Sequence, residues 1–268
     1  MKFSKIHIYV LLALFIVACS KVAITGRRQL ALIPNATLLP MSFDQYKQFL
    51  SNNSVSSDPD QTQLVKTVGT RIQKSVEEYM AQNGLSDKLN GFQWEFNLIE
   101  DGTVNAWAMP GGKIVFYTGI LPITQDEDGL AVVMGHEIAH VIAGHGNERM
   151  TQGLLAQAGR VALSVYMQDK PEASQQMMMA AYGAGAQVGV MLPFSRLHER
   201  EADRLGMIFM AMAGYDVNEA PKLWERMAAK GGGQAPPEFL SSHPSQQSRI
   251  EDTKAFIPEA MKYYKSVN

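Results

Sequence analysis

The stretch from Phe92 to Tyr117, FQWEFNLIEDGTVNAWAMPGGKIVFY, decides the fold class. Its first seven residues alternate between apolar and polar side chains, which is the pattern of a strand with one buried face. Asp101-Gly102 predicts a turn, and residues 104–109 and 113–117 are expected to pair as a hairpin around Pro110-Gly111-Gly112. The stretch therefore predicts a small three-stranded sheet.

Helical patterns precede and follow this sheet. Asp58 and Pro59 form a strong helix start, and Asn83-Gly84 predicts the end of the same helix. A shorter helix is expected at residues 42–50, and the chain is almost entirely helical from residue 118 onward. Helices on both sides of one small sheet indicate an α+β fold, built as one mainly helical domain rather than as a doubly wound parallel sheet.

The composition excludes several functional classes. The chain has 268 residues, with 24 lysine and arginine residues against 26 acidic ones. The net charge of −2 gives no positive surface of the kind that binds nucleic acid. A single cysteine excludes an internal disulfide and any zinc site built from thiolates.

The beginning of the chain resembles the precursor of a bacterial lipoprotein. Lys2 and Lys5 precede an apolar run at residues 8–18, which is too short to span a bilayer and is typical of a signal peptide. The four residues from Ile16 to Cys19 resemble a lipobox, which implies removal of residues 1–18. The alternative is a soluble secreted protein with a spare cysteine.

Lipidation of Cys19 would anchor the mature chain in a membrane. Ser20 follows the cysteine, and in a Gram-negative host this residue indicates sorting to the outer membrane. The predicted location is therefore the cell envelope, on the periplasmic side of the outer membrane. Residues 19–41 are expected to form the lipidated cysteine and a tether, part of which lies on the domain, and residues 42–268 the domain itself.

The sequence HEIAH at residues 136–140 carries the metal chemistry. A capping-box pattern at residues 124–127 predicts the start of its helix. His136 and His140 are one turn apart, about 40° around the helix axis, so both imidazoles can bind one zinc ion. Glu137 lies between them in angle and can reach a water on the metal. The alternative is a buried helix with two hydrogen-bonded histidines.

A catalytic zinc site needs a third protein ligand and keeps one position open. His145 does not have the spacing of a third histidine ligand, so it is predicted to end the helix or to contact a ligand. Glu199 fits better, and Asp203, one turn later on the same face, can accept a hydrogen bond from a ligand histidine. Glu201 is expected about 160° away, as an ordinary salt-bridging residue. The alternative is a charged amphipathic helix without metal.

HEIAH, followed some 60 residues later by EREAD, resembles the gluzincin family of zinc metallopeptidases. This family includes the CAAX prenyl proteases, the mitochondrial stress-activated inner-membrane protease and bacterial periplasmic quality-control proteases. Three further segments resemble family motifs: Thr25–Leu30, Asn105–Gly112 and, with its HPxxxxR pattern, Ser242–Arg249. The resemblance implies a mainly helical zincin-like domain with a small three-stranded sheet, whose edge strand borders the active-site cleft.

The resemblance also implies the roles of individual residues. One zinc ion per chain is bound by His136, His140 and Glu199. Glu137 is the general base, and Asp203 is a carboxylate that contacts a ligand histidine without binding the zinc. The prenyl and mitochondrial proteases are integral membrane proteins, whereas this chain looks like an anchored soluble form. CAAX processing is therefore not expected here.

His243 would face the zinc across the cleft, and three roles are open to it. It donates a hydrogen bond to the oxyanion of the substrate, it caps the final helix ahead of Pro244, or it occupies the open position of zinc in a resting state. The segment at residues 151–192, rich in Ala, Gly and Met, is either a mobile flap or a packed helical hairpin.

Asn105, Ala106 and Trp107 are predicted to bind substrate, because their strand can pair with an extended peptide by β-addition. The alternative is ordinary sheet packing, with Trp107 in the core. The predicted function is a membrane-anchored zinc endopeptidase that hydrolyses unfolded or misassembled cell-envelope proteins with zinc-activated water. Its expected partners are these substrates and the membrane around Cys19. The alternative function is a chaperone-like assembly or binding factor with little proteolysis.

Overall fold

The computed structural model describes residues 19–22, 24–231, 239, 243 and 247–265, so the predicted signal peptide lies outside the described residues. The strands are β1 (Cys19–Lys21), β2 (Arg28–Leu30), β3 (Glu95–Ile99), β4 (Ala106–Met109) and β5 (Lys113–Tyr117). The helices are α1 (Asn35–Asn52), α2 (Pro59–Gln82), α3 (Leu121–Thr124), α4 (Glu127–Ile142), α5 (His145–Met167), α6 (Glu172–Ala186), α7 (Leu192–Met212), α8 (Glu219–Gly231) and α9 (Gln247–Ala260). This mainly helical arrangement with a small sheet confirms the predicted α+β class.

The N-terminal segment is folded to a greater extent than the sequence predicted. β1 and β2 pair in antiparallel fashion, with Cys19 opposite Leu30. The helix expected at residues 42–50 is α1, which begins at Asn35 instead. Pro40 lies inside α1, where a sequence pattern favours a break because proline lacks the amide hydrogen. The described residues before 42 therefore lie on the domain as a two-stranded sheet and a helix rather than as a free tether.

The central sheet has the strand order β3-β5-β4, with β3 parallel to β5 and β4 antiparallel to it. The predicted hairpin is confirmed, and Gly111 and Gly112 in its turn both have positive φ angles, of 89° and 85°. A side chain at either glycine would meet aromatic rings, that of Phe43 at Gly111 and that of Trp94 at Gly112. β4 is one of the two edge strands of this sheet and packs against α4.

The start of α2 agrees with the sequence, whereas the start of α4 corrects it. Asp58 caps α2 by accepting hydrogen bonds from the amides of Asp60 and Gln61. The predicted capping box at residues 124–127 is wrong, because the residue that caps α4 is Asp126, which accepts from the amide of Gly129. The hydroxyl of Thr124 donates a hydrogen bond to the carbonyl of Leu121, so Thr124 ends α3 rather than capping α4.

α4 is the central helix of the core, and every residue from Gly129 to His140 is buried. α4 packs tightly on α7 at a pair of glycines, Gly135 and Gly206. A Cβ atom at Gly206 would lie 2.8 Å from the carbonyl carbon of Gly135 and from the amide nitrogen of His136. The absence of both side chains lets the two backbones approach closely, next to the first histidine of HEIAH.

α5 and α6 form a helical hairpin over most of residues 151–192. Tyr182 of α6 donates a hydrogen bond to the carbonyl of Ala156 on α5, at a distance of 2.9 Å. This contact favours the packed hairpin of the two alternatives. Within the part of the chain that the structure describes, no helix is both long enough and apolar enough to cross a bilayer.

Candidate metal centre and active site

Four buried side chains with metal-binding atoms converge at one point. His136 and His140 come from α4, Glu199 from α7, and His243 from the segment before α9. One donor atom from each of the four residues lies within 4.8 Å of the others. Two elements far apart in the sequence therefore complete the His136–His140 pair.

The spacing of the donor atoms fits a zinc ion. Nε2 of His136 lies 3.1 Å from Nε2 of His140 and 3.2 Å from Oε2 of Glu199. Oε1 of Glu199 lies 3.4 Å from Nε2 of His140 and has no hydrogen-bond partner among the described residues. Donors of a tetrahedral zinc site lie about 3.3 Å apart when each is about 2.0–2.1 Å from the metal. Two imidazoles and one carboxylate thus match zinc in both chemistry and spacing.

Asp203 lies behind His136, as predicted. Its Oδ1 is 3.0 Å from Nδ1 of His136, which directs Nε2 of the imidazole toward the other donors. Burial and Arg249 lower the pKa of His136, but the carboxylates of Asp203 and Glu199 outweigh them and raise it to about 9. Binding of a metal at Nε2 therefore displaces a proton.

Arg249 supplies the positive charge for this buried group. Its guanidinium donates to both oxygens of Asp203, at 2.6 Å and 2.8 Å, and lies 3.7 Å from the ring centroid of Trp224. Burial raises the pKa of Asp203, but the guanidinium and His136 outweigh it, and the pKa is lowered. Arg249 belongs to the HPxxxxR pattern, but no sequence pattern predicted its contact with Asp203.

A second chain of contacts lies behind His140. Nδ1 of His140 is 2.8 Å from Nδ1 of His145, and Nε2 of His145 is 3.0 Å from Glu201. Burial lowers the pKa of His145 to about 4, so the ring is neutral at neutral pH. With its proton on Nε2, His145 donates to Glu201 and accepts from Nδ1–H of His140. Nε2 of His140 then remains free for a metal.

Glu201 is buried, which corrects the expectation of an ordinary surface position. It does form an ion pair, with Nε of Arg27 at 2.8 Å, and Thr25 donates a hydrogen bond to its other oxygen. Burial raises the pKa of Glu201, but His145, Thr25 and Arg27 lower it to about 2. The helix angle placed Glu201 correctly away from Glu199, but the sequence did not show that the N-terminal segment covers that face.

Arg27 connects this chain to a third buried carboxylate. Its guanidinium also binds Glu148 with distances of 2.8 Å and 3.1 Å, and His198 lies 2.9 Å from the same carboxylate. The rings of His198 and His145 stack with centroids 4.2 Å apart. No sequence pattern predicted a role for Glu148 or His198. Arg27 lies in the segment Thr25–Leu30, and the resemblance of this segment to a family motif was the sequence signal that pointed to this cluster.

Glu137 is buried beside the donor atoms and contributes none of the four. Its Oε1 lies 3.5 Å from Nε2 of His243 and has no hydrogen-bond partner among the described residues. Burial raises the pKa of Glu137, although His243 and His136 act in the opposite direction. A raised pKa makes the Glu137 carboxylate a stronger base toward water.

The ring of His243 points into the donor set. Its Nδ1 lies 2.9 Å from Oε2 of Glu199 and 3.1 Å from Nε2 of His136. The ring also stacks on Phe239, with centroids 4.6 Å apart. Pro244, which the helix-cap alternative required, lies outside the described residues. This position of the ring favours a role for His243 in direct contact with a bound metal.

The three residues predicted to bind substrate lie at the start of the edge strand. Asn105 and Ala106 are buried. The Trp107 ring packs on Phe49, with centroids 4.8 Å apart, and its indole nitrogen donates to the hydroxyl of Tyr117. The Trp107 side chain therefore belongs to a small hydrophobic cluster, which favours the sheet-packing alternative for this ring. The backbone of β4 remains at the sheet edge.

A cavity of about 270 Å³ lies next to His140 and the edge strand. Its apolar wall includes Leu38, Leu89 and Phe92. Lys88 and Arg149, both exposed, also line it. The cavity can therefore hold an apolar side chain under a positively charged rim.

Comparison with known proteins agrees with this geometry. The family model described as peptidase family M48 matches residues 67–257. The mitochondrial metalloendopeptidase OMA1 of Schizosaccharomyces pombe is 36% identical over 221 residues, which cover 82% of this chain and 61% of that relative. The human OMA1 metalloendopeptidase is 28% identical over 253 residues, covering 91% of this chain and 47% of the relative.

A bacterial relative is similar over the same part of the chain. The putative beta-barrel assembly-enhancing protease of Vibrio cholerae is 31% identical over 220 residues, which cover 79% of this chain and 42% of that relative. The chain thus spans 42 to 61% of the length of these three relatives. The predicted resemblance to zinc metallopeptidases is confirmed. With a family match over most of its length and a buried group of residues that could hold a metal ion, the chain belongs to peptidase family M48.

Proposed function

We propose that the protein is a zinc-dependent endopeptidase. The observation that carries this proposal is the convergence of His136, His140 and Glu199 at the spacing of a tetrahedral zinc site, with the Glu137 carboxyl beside them. Bound zinc supplies Lewis acidity, which polarises a scissile carbonyl and lowers the pKa of water toward about 7.

Glu137 is the general base of the proposed reaction. It takes a proton from the attacking water and later delivers it to the leaving amine. Its buried Oε1 atom has no hydrogen-bond partner within the described part of the chain, which supports this role because the oxygen can accept a proton from water. Asp203 and His145 act on the two ligand histidines by holding their Nδ1 atoms and thus fixing the direction of each Nε2.

His243 has a regulatory position in this proposal. Its ring lies among the zinc ligands, so in the conformation described it occupies the place where substrate and water would enter. Substrate binding then requires the ring to move. Of the three roles predicted for His243, the resting-state role has the most support from these distances.

Unfolded protein segments are the proposed substrates. An extended peptide can add to the backbone edge of β4, which requires a chain that is not already paired in a sheet. The same peptide would place an apolar side chain in the cavity beside His140, to which Ala108 of β4 also contributes. The name of the Vibrio cholerae relative connects that protein to beta-barrel assembly, which supports cell-envelope proteins as the substrates proposed here.

We further propose that lipidated Cys19 anchors the protein to the periplasmic side of the outer membrane. The lipobox-like residues Ile16 to Cys19 support this proposal. Cys19 begins β1, so an anchor attached there would directly precede the folded domain.

Cleavage of unfolded casein by the full chain and by its Glu137→Gln variant tests the enzymatic proposal. Bound zinc is quantified in both proteins. Cleavage by the wild type alone, with zinc retained in both, is the expected result. Zinc binding without cleavage by either protein would instead favour a binding or assembly factor that uses the same cleft.

A further inference from the structure

The exposed side of α5 carries a row of aligned apolar residues, whereas the buried residues of α5 are mostly polar. Leu154, Val161 and Val165 are 54%, 58% and 61% exposed, and Met150 is also exposed. At 100° per residue these four side chains lie within about 60° of one another around the helix. We call these four residues the α5 stripe. Four aligned residues of this kind differ from isolated exposed apolar residues, which are common on soluble proteins.

The buried residues of α5 show the inverse pattern. Apart from Met167, they are polar, namely His145, Asn147, Glu148, Thr151 and Gln152. Several of them take part in the contacts behind His140 or bind the N-terminal segment. Asn147 accepts a hydrogen bond from the amide of Ile33, and Thr151 accepts one from the amide of Leu32. An ordinary surface helix buries its apolar face and exposes its polar one. α5 instead buries polar residues in its first two turns and exposes apolar ones from Met150 onward.

The apolar surface continues beyond the α5 stripe. Tyr166 at the end of α5 is 74% exposed and Met177 on α6 is 67% exposed, and no residue of α6 is buried. Charged residues are sparse in this region. The only charged residues at positions 151–195 are Arg160, Asp169, Lys170 and Glu172. A hairpin that faced water alone would be expected to carry more charge, since charged residues make up 19% of the whole chain.

The N-terminal end of the folded chain lies beside this surface. Cys19 of β1 pairs with Leu30 of β2. Leu30 in turn lines an apolar groove of about 490 Å³ together with Leu155 of α5 and Phe194 of α7. The 18 residues that precede Cys19 include the apolar run at residues 8–18. Any membrane attachment through this end of the chain therefore begins next to the α5–α6 hairpin.

We infer that the outer surface of the α5–α6 hairpin, centred on the α5 stripe, rests on the surface of a lipid bilayer. The inference rests on the proposed membrane attachment at Cys19. The stripe provides the apolar side chains that enter the boundary between headgroups and acyl chains, and exposed Tyr166 has an amphipathic ring suited to that depth. Anchor and hairpin together fix the orientation of the domain, so that the protein binds the bilayer at two places.

The test uses the full lipidated chain, in which acylation of Cys19 leaves no native thiol for labelling. Val165→Cys is labelled with the environment-sensitive dye NBD, and a matched variant carries the dye at Lys74→Cys on α2. Lys74 is exposed on a helix that packs on α4 and β3. Both proteins are mixed with vesicles of phosphatidylethanolamine and phosphatidylglycerol, with and without doxyl-labelled lipid.

The expected result is a blue shift and doxyl quenching of the dye at position 165, with neither change at position 74. Equal signals at both positions, or no quenching at 165, would overturn the inference. A blue shift at 165 without vesicles that depends on protein concentration would show that a second copy covers the stripe, and would also overturn it. Casein cleavage by the same proteins is measured in parallel. Its loss with quenching retained would contradict the proposed enzyme but not the bilayer contact.

Discussion

Substitution Gly206→Ala should separate the two helices that build the metal centre. The new Cβ atom would lie 2.8 Å from two backbone atoms of α4, the carbonyl carbon of Gly135 and the amide nitrogen of His136. Ordinary contacts begin at 3.4 Å, so α7 must move by about 0.6 Å relative to α4. Because Glu199 is on α7 and both histidine ligands are on α4, this movement changes the spacing of the zinc ligands.

The size of the effect follows from two opposing contributions. Alanine is favoured over glycine in a helix by about 1 kcal/mol, whereas overpacking of a rigid contact costs about 1–3 kcal/mol. Gly153→Ala on α5 is the matched control, since a Cβ atom there meets nothing within 4 Å. We expect Gly153→Ala to be neutral or stabilising, and Gly206→Ala to be less stable than this control by about 1–3 kcal/mol.

The assay combines urea unfolding with zinc affinity and casein cleavage for both variants. Zinc sites tolerate shifts of about 0.2 Å in ligand distance, so a displacement three times larger should weaken zinc binding. Casein cleavage should fall by on the order of 10- to 100-fold. Stability, zinc affinity and cleavage equal to those of Gly153→Ala would refute the view that the glycine contact positions the centre.

Three further substitutions test individual contacts. Arg249→Met leaves Asp203 buried without its counter-charge, and we expect urea titration to show a loss of about 3–5 kcal/mol, whereas a loss below about 1 kcal/mol would show that the pair contributes little. His145→Ala removes the acceptor behind His140 and should lower zinc affinity about 10- to 100-fold in chelator competition, and an unchanged affinity would contradict the proposed tautomer. His243→Ala should increase casein cleavage while one zinc ion stays bound. Loss of cleavage with zinc retained would instead favour the oxyanion-donor role.

The sequence predicted those parts of the fold that depend on local patterns. The alternation from Phe92 to Leu98 and the Pro-Gly-Gly turn predicted the small sheet, and Asp58 and Pro59 predicted the start of α2. The start of α4 was placed incorrectly because residues 124–127 satisfy a capping-box pattern, yet Gln125 adopts a positive φ of 69° that separates α3 from α4. The predicted helix at residues 42–50 was too short because the residues before it contain turn-formers and show no clear helical period, yet α1 begins at Asn35.

The candidate site could be predicted as far as its residues lie close together in the sequence or on one helical face. His136, Glu137 and His140 form one short motif, and Glu199 and Asp203 share a face of α7. The contacts behind them could not be predicted, because they join distant segments. Arg27 is 121 residues from Glu148 and 174 from Glu201. Such contacts depend on how the N-terminal segment packs, which no local pattern determines.

The most direct test of the metal centre compares two matched substitutions of buried glutamates. Glu199→Gln and Glu137→Gln make the same chemical change a few ångströms from His243, but only Glu199 is assigned as a zinc ligand. Zinc content of the purified full chain is measured for both variants and for the wild type. We predict one zinc ion per chain in the wild type and in Glu137→Gln, and a strong loss of zinc in Glu199→Gln. Full retention of zinc by Glu199→Gln, or its loss from Glu137→Gln alone, would contradict this assignment.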